Sequence, residues 1–70
     1  MIKITIYSEY ITLGQFLKFS SVIANGGEAK MFLETNKVFV NNEEENRRGR
    51  KLYPGDHIAV QNKEFYIERK

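Results

Sequence analysis

The chain has 70 residues and no cysteine, so its hydrophobic core must stabilise it without disulfides or thiolate metal sites. A domain this small buries only about 60% of its unfolded surface, which leaves no room for a deep catalytic cleft. With no apolar run of bilayer length and no signal peptide, we expect one cytoplasmic domain over residues 1–70. The net charge of +2 is too small to indicate a nucleic-acid partner by itself.

The N-terminal segment predicts a β-strand. Ile2, Ile4 and Ile6 alternate with polar or aromatic residues, which is the period-two pattern of a half-buried strand. Residues 8–10 are predicted to form a turn or short link, after which Ile11 can pack against the first helix.

The first helix is predicted to begin after Thr12. Thr12 and Gln15 form a T-x-x-Q capping box, in which each side chain binds a backbone N–H that the helix start leaves free. The predicted apolar face comprises Leu13, Phe16, Leu17, Ser20 and Ala24, with Phe19 and Ile23 beside it. Residues 25–27, Asn-Gly-Gly, are predicted to end this helix because glycine accepts left-handed backbone angles.

A second short helix is predicted between Glu28 and Asn36. The carboxylate of Glu28 favours the positive end of the helix dipole, and Ala29, Phe32 and Leu33 form the apolar stripe. Helices this short are not stable by themselves, so both are predicted to pack on a sheet.

The C-terminal half of the chain predicts that sheet. Val38 and Val40 lie in a strand with a buried face, and the two asparagines at 41–42 are predicted to form a turn. Leu52 and Tyr53 are predicted to return the chain to the core.

The last two strands are predicted over residues 57–60 and 64–68, around a tight turn at 61–63. A further turn at residues 54–55, Pro-Gly, precedes them. Their buried side chains are predicted to be Ile58, Val60, Phe65 and Ile67. We expect the first and last strands of the chain to pair and to close a small sheet behind the helices.

A run of charge separates these strands. Residues 43–45 are three glutamates, and residues 46–51 read Asn-Arg-Arg-Gly-Arg-Lys. We expect a solvated loop, in which the glutamates either neutralise the arginines or leave them available to a ligand. The guanidinium group binds phosphate with two N–H groups and stacks on unpaired bases, and Gly49 would let the backbone approach a phosphate. The run is therefore the strongest indication of RNA contact, and Lys18, Lys30 and Lys37 add to it.

Nothing in the sequence predicts an enzyme. His57 is the only histidine, and no nucleophile or orienting group is indicated beside it. The three glutamates would point to alternate sides of an extended segment and so specify no metal geometry. Gly26 and Gly27 lack the lysine and hydroxyl of a phosphate-binding loop. We predict no catalytic residue, no metal or other cofactor, no small-molecule substrate and no membrane contact.

The order of these elements and several residues resemble the S4 domain, an RNA-binding family named after a ribosomal small-subunit protein. The family pattern runs Arg-Leu-Asp-x-x-Leu, then Ser-Arg-Ser-x-Ala, then x-Val-x-Val-Asn-Gly and later Pro-Gly-Asp. The matching positions are Leu13, Leu17, residues 28–30, residues 38–42 and residues 54–56. The likeness covers about residues 12–60 and is greatest to short, free-standing bacterial members of the YaaA type.

The chain departs from that pattern at five positions. Thr12 and Gly14 stand where the family often has Arg and Asp, and Gly26 stands where a basic residue is common. Asn36 and Asn42 replace two glycines. The departures concern contacts that the family makes with RNA rather than its fold.

The resemblance implies an α+β fold with two short helices packed on a small, mainly antiparallel sheet. This is the αL motif of the family with an added N-terminal strand and C-terminal hairpin. It also implies a concave, positive surface formed by both helices and the following loop. Carried over by position, that surface comprises Lys18, Glu28, Lys30, Lys37, Asn41, Arg47, Arg48, Arg50 and Lys51. The implied function is monomeric, non-catalytic binding of structured ribosomal RNA, in ribosome assembly or translation.

Two other interpretations remain open. The isoleucine strand, the Thr-Leu helix start and the Pro-Gly-Asp turn also resemble β-grasp sulfur carriers and their TGS relatives. Residues 68–70 are Glu-Arg-Lys rather than the Gly-Gly such carriers need, which leaves a protein-binding β-grasp module. Two packed helices within residues 20–36 would favour the S4 domain, whereas one continuous helix and a loop would favour β-grasp. The third interpretation is an accessory protein that binds only ribosomal protein.

Overall fold

The computed structural model describes all residues from 1 to 70. Seven strands and two α-helices follow one another along the chain, with one 3₁₀ turn at Gly26–Glu28. In chain order they are β1 (Ile2–Ile6), β2 (Ile11–Thr12), α1 (Leu13–Phe19), α2 (Ala29–Thr35), β3 (Val38–Val40), β4 (Glu43–Glu44), β5 (Lys51–Leu52), β6 (His57–Val60) and β7 (Lys63–Arg69).

Five of the strands form one sheet in the order β1-β7-β6-β3-β4. The terminal strands β1 and β7 pair in parallel, and the other three pairs are antiparallel. The predicted pairing of the first and last strands is therefore confirmed. The short strands β2 and β5 pair separately, with Thr12 opposite Lys51, so the chain that follows the charged loop runs beside the start of α1.

Two tight turns join the antiparallel strands. Asn41 and Asn42 have φ angles of 51° and 71°, and Gln61 and Asn62 have φ angles of 52° and 62°. Two successive left-handed residues match the twist of a two-residue hairpin, and asparagine tolerates these angles better than most side chains. The predicted turn at 41–42 is confirmed, and the turn predicted at 61–63 is one residue shorter because β7 begins at Lys63.

The core lies between the helices and one face of the sheet. It contains 15 buried apolar residues. Phe16 of α1 packs edge-on against Phe65 of β7, with 5.2 Å between ring centroids, an arrangement that aromatic pairs prefer. The predicted α+β architecture of two short helices on a mainly antiparallel sheet is confirmed. None of the helices is long or apolar enough to cross a bilayer.

The first helix is shorter than predicted. It ends at Phe19, and Ser21 adopts a left-handed φ of 64°. The amides of Val22 and Ile23 both donate to the carbonyl oxygen of Leu17, at 3.0 and 3.2 Å, so the chain turns back here and buries Ile23 without continuing the helix. This break separates the two helices and excludes the continuous helix of a β-grasp fold.

The Asn-Gly-Gly segment begins a helical turn rather than ending one. The side chain of Asn25 accepts a hydrogen bond from the Gly27 amide at 3.0 Å and so caps the 3₁₀ turn that leads into α2. The prediction that residues 25–27 end the first helix was therefore wrong. The predicted end of the second helix at Asn36 is confirmed.

Candidate nucleic-acid interface

The charged loop is fixed to the start of α1 through its backbone. We call residues 46–50 the arginine loop. The amide of Leu13 donates to the carbonyl oxygen of Arg50 at 2.8 Å, and the amide of Gly14 donates to that of Arg48 at 2.9 Å. The predicted capping box supplies the next bond, from the Gln15 amide to the Thr12 hydroxyl at 3.2 Å. The free amides of the helix start thus bind the loop and the cap.

Gly14 lies where α1, α2 and the arginine loop meet. A Cβ atom at this position would lie 3.4 Å from the carbonyl oxygen of Arg48 and 3.5 Å from the Cβ of Ala29, the first residue of α2. These distances are ordinary van der Waals contacts, so a methyl group would fit at this position. Gly14 therefore packs directly against the backbone of the arginine loop and the first residue of α2.

Glu45 holds the loop from the inside. Its side chain is only 7% exposed and is the one buried charged group of the chain. Oε2 accepts hydrogen bonds from the Asn46 amide and from both the amide and Nε of Arg47, while Oε1 accepts from the guanidinium groups of Arg47 and Arg50. The prediction of three solvated glutamates was wrong for Glu45, since a buried carboxylate needs such partners.

These contacts change the acidity of Glu45. The side-chain hydrogen bonds from Arg47, and then those from Arg50 and the Arg47 amide, hold the pKa of the carboxyl well below its usual range, although burial acts in the opposite direction. Charge-assisted hydrogen bonds of this kind are about twice as strong as neutral ones. Glu45 therefore stays ionised at any physiological pH and keeps the loop in one conformation.

The three arginines of the loop have different surroundings. Arg47 and Arg50 form ion pairs with Glu45, at 2.9 and 2.8 Å. The side chain of Arg48 is exposed and forms neither an ion pair nor a hydrogen bond, although its backbone oxygen is bound by α1. Arg48 is thus a charge held by a fixed backbone and available to a ligand. Glu43 and Glu44 are exposed and form no ion pair, so neither neutralises it.

Two predicted lysines lie around the same meeting point. Lys18 follows Gly14 by one helical turn, so it lies on the side of α1 that faces the loop. Lys30 follows Ala29, whose Cβ faces Gly14. Both lysines are exposed and form no ion pair. Lys18 lies in the last turn of α1 and Lys30 in the first turn of α2, so with Arg48 the two helices and the loop carry three unpaired positive charges.

Lys37 and Lys51 extend this basic region at its margins. Glu45 directly precedes the arginine loop, and its amide donates to the Val38 oxygen at 2.8 Å. Lys37, the residue before Val38, therefore lies near the beginning of the loop. Lys51 follows the loop directly, and its Nζ lies 4.9 Å from the centre of the Tyr10 ring.

Glu28 and Asn41 are engaged within the fold. A carboxylate oxygen of Glu28 accepts from the Ala24 amide at 3.4 Å. The side chain of Asn41 donates to Asp56 at 3.1 Å and accepts from the His57 amide at 2.9 Å, which ties the β3–β4 turn to the start of β6. Asn41 lies at the opposite end of β3 from the loop entrance and is not brought together with Arg48.

The structure also provides site residues that the sequence reasoning did not select. The rings of Tyr10 and Tyr53 are in contact, with 5.7 Å between centroids and a 48° tilt between their planes, and both are exposed beside Lys51. The prediction that Leu52 and Tyr53 return the chain to the core is confirmed for Leu52 and was wrong for Tyr53, which is 47% exposed. His57 is exposed. No three histidine, aspartate or glutamate side chains are grouped so that they could hold a metal ion.

The sequence is similar to known proteins over most of its length. The sequence pattern of the S4 domain family matches residues 4–68. The chain is 57% identical over 58 residues to a protein of Bacillus subtilis (strain 168) named as a probable ribosome maturation protein, RlbA. That alignment covers 83% of this chain and 82% of the relative. No solved structure matches the chain.

Proposed function

Because this chain belongs to the S4 domain family, we propose that it binds structured RNA without catalysing a reaction, and that its RNA is ribosomal. The 57% identity to a protein named for ribosome maturation supports a role in ribosome assembly. We further propose that the 70 residues act as one domain and as a monomer, in the cytoplasm where ribosomes are assembled.

The observation that carries the proposal is the attachment of the arginine loop to α1. Backbone contacts at 2.8 and 2.9 Å and the buried Glu45 fix the loop before any ligand arrives, so RNA binding would require little ordering of the protein. Arg48 is then presented beside Lys18 and Lys30. Positive groups at fixed spacing favour a structured phosphate backbone over a flexible one.

Salt dependence of RNA binding tests the proposal. Each phosphate that the protein neutralises releases counterions, so affinity falls steeply as salt rises. The free cations Lys18, Lys30, Lys37, Arg48 and Lys51 would make roughly four to five phosphate contacts. We expect affinity for ribosomal RNA, measured by fluorescence anisotropy, to fall by roughly two to three orders of magnitude between 50 and 200 mM salt.

The RNA partner can be identified in the same study. We expect RNA crosslinked to the protein in cells to be enriched in ribosomal RNA or its precursors when sequenced. Undetectable affinity for ribosomal RNA at low salt, or affinity indifferent to salt, would contradict the proposal. If the protein instead bound purified ribosomal protein and no RNA, the accessory interpretation would replace it.

A further inference from the structure

All the well-exposed aromatic side chains of the chain lie in one region. Five of the nine aromatic residues are buried or half-buried. Tyr7 is 75% exposed and Phe19 is 58% exposed, and Tyr10 and Tyr53 are also exposed. Rings that could have been buried are instead presented to solvent on the side of α1 that carries Gln15 and Phe19, away from the side that carries Gly14 and Lys18.

Three of these rings line an open groove, which we call the tyrosine groove. Its walls are the end of β1 with the following link, and the Gln15–Phe19 side of α1. Tyr7, Tyr10 and Phe19 line it, and no acidic residue does. The Nζ of Lys70 lies 5.9 Å from the centre of the Tyr7 ring, and that of Lys51 lies 4.9 Å from Tyr10.

The contact between Tyr10 and Tyr53 connects the tyrosine groove with the surface beside the arginine loop. A shallow depression beside the loop is lined by Arg47, Gly49, Arg50, Lys51 and Tyr53. The Tyr53 ring contacts the Tyr10 ring, with 5.7 Å between their centroids, and Tyr10 lines the groove. A strand of RNA leaving the arginine loop would therefore pass from positive side chains to exposed aromatic rings. No acidic residue lines the depression beside the loop or the tyrosine groove.

We propose that the tyrosine groove binds unpaired nucleotides adjoining the structured RNA, with bases stacked on Tyr7, Tyr10 and Phe19 and phosphates near Lys51 and Lys70. This inference rests on the proposed function and adds a second contact of different chemistry. Aromatic rings in a positive groove are the usual platform for single strands, because every base has a face that can stack. The flanking lysines favour this polyanion over an uncharged apolar peptide.

Matched RNA probes test the groove. The first is a fully paired hairpin, the second adds about six unpaired nucleotides to one end, and the third adds the same length of abasic backbone. We expect the nucleotide extension to raise affinity about tenfold or more over the hairpin, and the abasic extension to add much less, since stacking needs the base. Because the chain has no tryptophan, its fluorescence comes from tyrosine. We expect the hairpin with unpaired nucleotides to quench this emission, and the plain hairpin and the abasic probe to leave it unchanged.

Protein variants locate the effect. The double variant Tyr7→Ala/Phe19→Ala should lose the gain from the extension and keep its affinity for the paired hairpin, whereas Tyr7→Phe should retain the gain. Met31→Ala is the matched control, because Met31 is 70% exposed on α2 and lines a different groove. Circular dichroism and denaturant midpoints establish that each variant is folded.

The outcomes separate this proposal from the proposed function. If wild-type protein binds the hairpin and the extension adds nothing, or if the gain survives in the double alanine variant, the groove does not bind nucleotides and the proposed function stands. If the same substitutions instead abolish binding to a ribosomal protein, the groove is a protein contact, and the proposal is likewise overturned. If no probe binds at all, the proposed function itself fails.

Discussion

The backbone amide of Gly14 donates a hydrogen bond to the carbonyl oxygen of Arg48 at 2.9 Å. This bond joins a helix start to a loop 34 residues later in the chain, and it satisfies an amide that would otherwise need water or a side chain. The arginine loop and α1 therefore form one unit, and a change at Gly14 reports on both.

We expect Gly14→Ala to stabilise the protein. Glycine in a helix is less favourable than alanine by about 0.5–1 kcal/mol, and a Cβ here would make contacts at 3.4–3.6 Å, which are tolerated. Gly14→Val should destabilise it, because its extra methyl groups would push against the Arg48 backbone and overpacking typically costs about 1–3 kcal/mol. Urea denaturation of both variants measures whether the free energy of unfolding rises for Gly14→Ala and falls for Gly14→Val. Equal stability of the two variants would show that the loop moves freely away from α1.

Local patterns predicted most of the elements from the sequence. The capping box at Thr12 and Gln15, the turn at 41–42 and the alternation around Val38 each depend on residues close in sequence, where rules of spacing apply directly. The end of α1 could not be predicted in this way. Phe19, Ser20 and Ile23 continue a plausible helical pattern, and only the packing of Ile23 against the core decides that the chain turns back.

The candidate site was less predictable for a related reason. Glu43, Glu44 and Glu45 are identical in type and adjacent, so no pattern in composition distinguishes them. Glu45 differs because β4 ends at Glu44 and its amide pairs with Val38, which turns its carboxylate toward Arg47 and Arg50. The contact between Tyr10 and Tyr53 could not be predicted from local patterns, because it depends on the pairing of β2 with β5.

We expect Glu45→Gln to destabilise the fold and Glu44→Gln to leave it unchanged. Glutamine cannot accept five hydrogen bonds from arginine side chains and amides, and unpairing a buried charged network costs about 1–3 kcal/mol. Glu44 is exposed and unpaired, so its change should stay within about 0.5 kcal/mol. The two substitutions are chemically identical and adjacent, and thermal or urea denaturation compares them directly. Equal losses from both would mean that net charge, rather than the buried network, is responsible.

Stability should fall at acid pH through Glu45. Its pKa lies well below its usual range in the folded protein, whereas it is about 4.3 in an unfolded chain. Above pH 5 the carboxyl is ionised in both states, so its full contribution is present. Below about pH 4.3 the unfolded state takes up a proton first, and the free energy of unfolding falls by up to about 1.4 kcal/mol per pH unit.

The other carboxylates also titrate in this range, so the comparison with Glu45→Gln isolates the effect. We expect the stability difference between wild type and Glu45→Gln to be constant from pH 8 to about pH 5.5 and to shrink below that. Urea midpoints collected across the range provide the measurement. A difference that stays constant down to pH 3 would contradict the assigned pKa shift.

Arg48 should contribute to RNA binding without contributing to stability, which sets it apart from its two neighbours in the loop. Its side chain is exposed and unpaired while its backbone is held. We expect Arg48→Ala to weaken binding to a structured ribosomal RNA by about 1–2 kcal/mol and to reduce the salt slope by about one unit. Its urea midpoint should not change.

Two substitutions provide the controls for this prediction. Lys3→Ala also removes one positive charge, from β1 at the sheet edge opposite β4, where Lys3 pairs with Glu68 at 3.4 Å, so it should leave RNA affinity nearly unchanged. Arg50→Ala leaves the buried Glu45 with fewer donors and should lower stability as well as affinity. If Arg48→Ala and Lys3→Ala weakened binding equally, only net charge would matter. Should Arg48→Ala bind as wild type does, Lys18 and Lys30 would have to carry the contact, because they are the other free cations where the helices meet the loop.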